Sequence, residues 1–325
     1  MSERQDGIGR RSFLGVGAAA AALGATAAAE TRPARAPRVE STRPDFILDS
    51  HIHCGGDEAW VEEMVAVYRR HNAMACVLTW IEDLELMVDA VKAHPDVFIG
   101  YGRVRLDDPN AVRQIETFKN NGFVGMKFHS PRENFDHPSY FQTYRLCEEY
   151  GMVMLFHTGI SSRREFESPT WGSSARMRPI YLDTICRQFP RVVVQGAHLG
   201  NPWYEEAAEA ARWNPNLYFD VTGSTLPKLI KLGRLDRLKE ILWWGAEEGE
   251  ANPHTLKDGP GAWEHIVFGT DEKPSGLEPN IERFHMMLDA NDVPEPTRRR
   301  MWGLTMAEVL GIDPETRRVR DQSAK

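Results

Sequence analysis

From Asp45 onward, short apolar runs rich in β-branched and aromatic residues alternate with longer stretches in which apolar residues return every three or four positions. The first pattern predicts strands and the second predicts helices. Strands are predicted over Phe46 to His53, Ala73 to Trp80, Val97 to Val104, Val124 to His129, Met152 to Gly159, Val192 to His198, Leu217 to Gly223 and His265 to Asp271, eight in all. Between them the spacing predicts helices, among them Asp57 to His71, Leu84 to His94, Asn110 to Asn121, Tyr140 to Tyr150, Pro179 to Phe189 and Tyr204 to Trp213. Such alternation marks parallel βα units. Eight units point to an α/β fold, a single closed (β/α)8 TIM barrel. An open sheet of this size usually gives up a strand to an antiparallel edge or a second domain. No internal repeat or domain break is visible after Asp45, so residues 45–325 read as one barrel.

Most of these strands stay apolar until their carboxyl ends, where several finish on residues that a packed core would reject. The first ends in Asp49-Ser50-His51-Ile52-His53. Alternate residues of a strand project to one face about 7 Å apart, so His51 and His53 can aim two imidazoles at one point. Asp49 falls on the same side and could hold a ligand's second nitrogen. The fifth strand ends in His157-Thr158-Gly159, the sixth in His198-Leu199-Gly200 and the eighth in Asp271. All of these side chains would converge at the carboxyl-terminal mouth of a barrel, where the fold places its chemistry. Imidazoles with a carboxylate make a ligand set suited to zinc, with manganese, iron, cobalt or nickel also compatible. A single histidine at a strand end is more often a hydrogen-bonded neighbour than a ligand, so it is the whole set that points to a metal. His71, His94, His137, His254, His265 and His285 fall in helices, in loops or at the start of a strand and receive no role. Lys127 and His129 close the fourth strand. A lysine there is expensive to bury unless paired, so it asks for a compensating partner.

The amino terminus reads differently. Arg10-Arg11-Ser12-Phe13-Leu14 leads into an alanine-rich run that carries no charge until Glu30. Paired arginines, an apolar stretch and the small-residue exit Ala27-Ala28-Ala29 predict a twin-arginine signal peptide over residues 1–29, cleaved before Glu30. A membrane anchor would need about 20 strongly apolar residues. This run is shorter, so no stable anchor is expected and the mature protein is placed in the periplasm or outside the cell. Residues 30–44, rich in Pro and Arg, read as a linker.

Composition narrows the partners. The 325 residues are 42 % hydrophobic and 26 % charged, an ordinary globular balance that can bury a substantial core. A net charge of −8, with no long run of Lys or Arg, argues against nucleic acid. Cys54, Cys76, Cys147 and Cys186 form no C-x-x-C pair and read as thiols, with Cys54 close to the His51-Ile52-His53 motif. The connection from Ile160 to Arg178 far exceeds the length of about two to six residues usual for a βα loop. It carries Arg163, Arg164, Trp171, Arg176 and Arg178, which could greet an anionic substrate at the mouth or simply lie on a solvated surface.

With these residues in place, the chain resembles the amidohydrolase superfamily, and within it the amidohydrolase-related branch that includes the aminocarboxymuconate-semialdehyde decarboxylase type. The likeness runs in order through FILDSHIH, GMKFHSP, MLFHTG, QGAHLGNP and FGTDEKPSG. The segment MWGLTMAEVLGI resembles the branch's terminal helix, with Met306 where Asn is common. The resemblance implies His51, His53 and His157 as metal ligands and Asp271 as a ligand or as the base beside the metal. It implies His198 as a ligand or as a hydrogen-bonding acid/base that orients the attacking water. Zinc would then acidify that water and polarise the carbonyl under attack, and Asp271 would pass the proton to the leaving group. Strand eight reads Thr270-Asp271-Glu272-Lys273-Pro274 in place of the commoner Ser-Asp-Tyr-Pro style, so substrate preference does not carry over.

The resemblance points to hydrolysis of an amide, ester or lactone bond in a small molecule. A lyase of the same branch, a decarboxylase or hydratase, would use the same ligands; Lys127 favours the hydrolase because the decarboxylase members generally lack a lysine there. A secreted barrel that binds without catalysis would have lost mouth residues, and here the set is intact. Lys127 has three readings. It is a carboxylated bridge between two metals, with His198 joining His157 on the second ion. Or it is an ammonium that binds a substrate carboxylate or an oxyanion, with His129 as its polar neighbour. Or it is a salt bridge that closes the barrel end. One divalent ion, Zn2+, is favoured over two. The expected partner is a small-molecule substrate, anionic if the loop arginines serve it, and a homo-oligomer stays open.

Overall fold

Residues 44–162, 173–245, 256 and 259–319 are described by a computed structural model of the chain. The expected signal peptide (1–29), all but the last residue of the expected linker (30–44), and Arg163, Arg164, Trp171 and His254 lie outside the described residues.

All eight predicted strands form, each trimmed at one or both ends: β1 Ile47–His53, β2 Ala73–Thr79, β3 Phe98–Val104, β4 Gly125–Phe128, β5 Val153–Phe156, β6 Val194–Gly196, β7 Leu217–Asp220 and β8 Ile266–Val267. Beyond the ladders of β6 and β8, His198 and Asp271 sit at φ 63° and 52°, in the left-handed region that a pleated strand cannot hold. Neighbours in sequence are neighbours in the sheet from β1 to β8, and every pair is parallel. The ring closes at a seam between β8 and β1 through individual hydrogen bonds. Ser50 donates to the Phe268 carbonyl from its N–H at 3.0 Å and from its hydroxyl at 2.8 Å, and the Asp271 N–H donates to the His51 carbonyl at 2.6 Å.

The six predicted helices form as α1 Glu58–Arg70, α2 Leu84–Ala93, α3 Ala111–Asn120, α4 Phe141–Glu149, α5 Tyr181–Gln188 and α6 Tyr204–Trp213. In α1 the Asp57 side chain caps the first turn by accepting the Trp60 N–H, Glu58 and Arg69 with Arg70 suit the two ends of the helix dipole, and Trp60, Met64 and Tyr68 make the buried stripe. Further helices follow: α7 Thr225–Lys231, α8 Arg237–Ile241, α9 Leu277–Ala290, α10 Glu295–Arg299 and α11 Thr305–Val309. Among the described residues, no helix is long and apolar enough to cross a membrane.

Strand residues divide between two cores, as the alternation of side chains requires. Leu48, Met74, Cys76, Leu78, Tyr101 and Leu155 pack together inside the ring. Phe46, which precedes β1, and Met306 and Ala307 of α11 belong to the same cluster and plug the end where strands begin. Ala75, Val77, Met126, Met154 and Phe156 belong to the larger cluster between sheet and helices. With one end plugged, the polar residues are left to the other, where strands finish.

Candidate metal centre

β1 pairs with β2 up to Asp49 and again from Ile52, and the register slips between them, so β1 carries a bulge. A bulge re-aims the side chains around it. His51 is almost fully buried while His53 is half-buried, and their rings lie 5.6 Å apart between centroids. Asp49 departs from the expectation set by simple alternation. It accepts the Tyr68 hydroxyl at 2.6 Å, the Thr270 hydroxyl at 2.7 Å, and the N–H groups of Thr270 and His51 at 3.0 Å each. It thus pins the backbone of the bulge rather than a ring nitrogen. Burial pushes its carboxyl up to about 6 against the pull of these donors.

The ring nitrogen of His51 is held by Asp220, the last residue of β7. Asp220 is buried, and its Oδ2 accepts from His51 Nδ1 and Gln195 Nε2, both at 3.0 Å. Its Oδ1 accepts the N–H groups of His198 at 2.8 Å and Thr222 at 3.1 Å, and the Thr222 hydroxyl at 2.6 Å. Burial works to raise this carboxyl, but the N–H donors turned towards it, that of His51 Nδ1 first among them, outweigh it and hold Asp220 below the ordinary carboxylate range. An ionised Asp220 only accepts, so His51 carries its proton on Nδ1 and turns a lone pair inward at Nε2.

The hydrogen-bond chain runs on through Thr222. Its single hydroxyl hydrogen goes to Asp220, so its oxygen accepts from His198 Nδ1 at 2.8 Å. His198 Nε2 then accepts from His157 Nδ1 at 3.2 Å. His157 is left with a lone pair on Nε2, an atom that is buried and has no hydrogen-bond partner among the described residues. One carboxylate therefore sets the tautomers of three imidazoles. Gly223 leaves room for this chain: it sits at φ 61°, and a Cβ there would meet His198 Nδ1 at 2.9 Å.

Asp271 faces these rings from the end of β8. Its Oδ1 lies 3.1 Å from His53 Nε2 and 3.4 Å from His51 Nε2, and its Oδ2 lies 3.7 Å from His198 Nε2. Burial would raise Asp271, but His51, His53, His198 and Lys127 outweigh it and keep the carboxyl well below its usual range. Burial lowers His53 and His198 to about 4 and His157 well below the ordinary histidine range. At neutral pH an ionised carboxylate therefore stands near the neutral imidazoles of His53, His157 and His198, the protonation states that ligate divalent ions. The ligand atoms of His51, His53 and Asp271 all lie within 4.8 Å of one another, a group that can hold a metal ion. His157 and His198 stand outside this group of three and pack on each other, centroids 4.8 Å apart. The lone pair on His51 Nε2 and the unpartnered His157 Nε2 are what a metal would satisfy, so the residues fit one.

Lys127 is 1 % exposed, with Nζ 3.1 Å from His51 Nε2. Burial lowers its ammonium to about 8, while the nearby charges of Asp271 and Asp220 work to keep it protonated. His129 packs its ring on His157 at 4.1 Å and hydrogen-bonds Ser130 at 2.5 Å. Arg103, on β3, stands in register with Lys127 on β4. Its Nη1 lies 2.8 Å from His53 Nδ1, and its guanidinium lies over the Trp80 ring at 4.1 Å. Among the other expected residues, Cys54 is half-buried and burial pushes its thiol up, which keeps it protonated. Arg178 pairs with Glu206 and lies over Trp203, so it is tied to α6. Asp220, Thr222 and Arg103 were not expected in the site, although Asp220 ends β7, Thr222 follows it by two residues and Arg103 is the last residue but one of β3, the same places that exposed the histidines.

The fold has known counterparts. An uncharacterized TIM-barrel protein from Bordetella bronchiseptica matches with a TM-score of 0.57 and 14 % identity, over 82 % of this chain and 98 % of its own. The 5-carboxyvanillate decarboxylase of Sphingomonas paucimobilis matches with a TM-score of 0.55 and 14 % identity, over 82 % and 99 %. An Acinetobacter baumannii protein described as a probable 2-pyrone-4,6-dicarboxylic acid hydrolase, solved with citric acid bound, matches with a TM-score of 0.54 and 15 % identity, over 82 % and 99 %. At such identities the likeness is one of fold. No curated protein matches the chain. A family profile described as amidohydrolase matches residues 62–312, a span that follows His51 and His53 and holds Lys127, His157, His198, Asp220 and Asp271. Because that span covers well over half of the chain, the protein belongs to the amidohydrolase family of enzymes.

Proposed function

We propose that this enzyme is a metal-dependent hydrolase that cleaves an amide, ester or lactone bond of a small molecule. The observation that carries this reading is the buried Lys127 ammonium 3.1 Å from His51 Nε2, with the ionised Asp271 3.4 Å from the same nitrogen. Hydrolysis needs a base for the attacking water and a positive group for the oxyanion that develops on the carbonyl. Asp271 and Lys127 supply these two, both within reach of one imidazole nitrogen.

His51, His53 and Asp271 would hold one divalent ion, with His157 Nε2 as a further donor, and this imidazole and carboxylate set suits Zn2+. When bound, the ion supplies Lewis acidity that acidifies water and polarises the bond under attack. Asp271 takes the proton of the attacking water and returns it to the leaving group. His198 Nε2 stands 3.7 Å from Asp271 Oδ2, at the edge of the space the attacking water would occupy, where it would help to orient that water. Lys127 faces the developing oxyanion at a depth where charge interactions are worth several times more than in bulk water. The Arg10-Arg11 segment and the apolar run behind it support export as part of the same proposal.

The test offers the zinc-loaded protein a panel of lactones, esters, amides and aromatic carboxylic acids, with acid release and CO2 release read separately. Acid release that disappears in Asp271→Asn supports the hydrolase. CO2 release without hydrolysis would assign the chain to the lyases.

A further inference from the structure

We propose that Tyr68 and Thr270, acting through the carboxylate of Asp49, are positioning residues of the metal centre: together they set the gap between His51 and Asp271 across the seam of the barrel. This inference rests on the reading of His51, His53 and Asp271 as a metal site and not on which bond the enzyme cleaves.

The first observation is what holds the seam. Among the described residues no ladder joins β8 to β1, so strand pairing does not fix how far His51 stands from Asp271. Asp49 Oδ1 does part of that work. It accepts the His51 N–H and the Thr270 N–H, each at 3.0 Å, so one oxygen grips the residue that carries one ligand and the residue next to the other. The Asp271 N–H closes the circuit on the His51 carbonyl at 2.6 Å. Gly269 lets the two chains pass this close, since a Cβ there would lie 3.2 Å from the Cβ of His51.

The second observation is the backbone of Asp271. It sits at φ 52°, in the left-handed region that costs a residue with a side chain. Such a conformation persists where its surroundings over-determine it. Here the N–H before it is bound to Asp49 and its own N–H is bound to His51, which turns its carboxylate towards His53 Nε2 at 3.1 Å and His51 Nε2 at 3.4 Å.

The third observation is what holds Asp49. Its Oδ2 accepts the Tyr68 hydroxyl at 2.6 Å and the Thr270 hydroxyl at 2.7 Å, and all three residues are buried. A carboxylate oxygen at that depth is costly without donors. Deprived of both hydroxyls, the group would turn to bring Oδ2 towards the two N–H groups, and the grip of Oδ1 would slacken. Metal–ligand distances tolerate only about 0.2 Å, so slight slack between His51 and Asp271 is felt as lost affinity. Tyr68 belongs to α1, outside the ring, so the helical layer reaches the centre through one hydroxyl.

The test compares full-length wild type with Tyr68→Phe, Thr270→Val, Thr270→Ser and the double variant Tyr68→Phe/Thr270→Val. Chelator competition on the metal-free proteins reads zinc affinity, the visible bands of the cobalt-loaded proteins read the geometry of the centre, and urea unfolding of the metal-free proteins reads stability. The double variant should lose about tenfold or more in zinc affinity and shift the cobalt bands, with the single losses of hydroxyl falling between. Thr270→Ser keeps its hydroxyl and should stay within about threefold of wild type with the cobalt bands in place. A lower unfolding midpoint in the double variant, with zinc affinity and cobalt bands as in wild type, would make the network merely structural and overturn the proposal. So would a Thr270→Ser variant that loses as much as Thr270→Val. Should the double variant fail to fold, Tyr68→Phe decides alone, and wild-type zinc affinity with wild-type cobalt bands there refutes the role. Wild type that takes up neither metal would sink the metal reading itself, whereas unchanged variants of a wild type that binds both sink this inference alone. CO2 release in the preceding test would remove the hydrolase and leave these positioning residues standing.

Discussion

Replacing Asp220 by Asn keeps the shape of the side chain and removes an acceptor from a carboxylate that takes five hydrogen bonds. Oδ1 receives two backbone N–H groups, which cannot reverse, so the new amide NH2 must take the Oδ2 side and face His51 Nδ1 and Gln195 Nε2. Gln195 can turn its amide, because its Oε1 has no partner. His51 can respond only by moving its proton to Nε2. That removes the inward lone pair and aims a hydrogen at Lys127 Nζ, itself a donor. Losing the group that orients a metal ligand costs roughly 10–100-fold in metal affinity, which is about 1.4–2.8 kcal/mol. The fold should weaken by about 1.5–3 kcal/mol, the range for losing a hydrogen bond to a charged group, because the three bonds to Oδ1 survive. Competition for zinc against a chromophoric chelator reads the affinity, nitrogen NMR of the imidazoles reads the tautomers, and urea unfolding reads the stability. A zinc affinity within about threefold of wild type, with the His51 resonances unmoved, would refute the reasoning that Asp220 sets the centre.

Changing His51 and His53 together to Ala should strip most of the zinc while the circular dichroism of the barrel persists; full zinc content in the double variant would refute ligation from β1. Lys127→Met should lower kcat by about 100-fold or more at unchanged zinc if the ammonium serves the oxyanion, whereas loss of half of two bound metals would identify a bridge. Gly223→Ala strains a backbone at φ 61° and presses on His198 Nδ1, so it should cost about 1–2 kcal/mol in the backbone alone and lower the melting temperature; an unchanged melting curve counts against the cradle. Asp96 is held down to about 2, chiefly by its hydrogen bond from Arg69. A depressed carboxyl contributes stability above its ordinary value of 3.8 and loses it as pH falls through about 2. Wild type should therefore exceed Arg69→Gln in stability at pH 5, the gap should close between pH 4 and 2, and a gap that does not change with pH removes the pair from the acid response.

The barrel was legible because strand and helix periodicities alternate cleanly, and because polar residues at strand ends stand out against apolar runs such as Met152-Val153-Met154-Leu155-Phe156. His51, His53 and Asp271 were readable for that reason, and they do come together. Asp49 was misassigned because spacing alone cannot reveal a bulge: the slip after Asp49 turns its carboxylate to Tyr68 and Thr270. Asp220 ends β7 as plainly as Asp271 follows β8, yet its role depends on a partner 169 residues away in sequence, which no local pattern encodes. Arg103 escaped notice for a similar reason, since an arginine at a strand end is ordinary until the register sets it opposite Lys127.

The seam between β1 and β8 makes the centre a late product of folding. His51 stands on the first strand of the ring and Asp271 just beyond the last, and the Asp271 N–H ties directly to the His51 carbonyl. As the chain leaves the ribosome, β1 emerges with its two imidazoles long before the carboxylate that completes the group. Contacts of such sequence separation form slowly, since the loop between them must be ordered first. A chain clipped or stalled before β8 would grip zinc no better than a pair of histidines on a lone strand, so firm metal uptake certifies that the ring has closed. The linkage also runs backwards, because an ion bound only by the closed ring stabilises closure by mass action. The join that no ladder spans is the one that the metal would clamp.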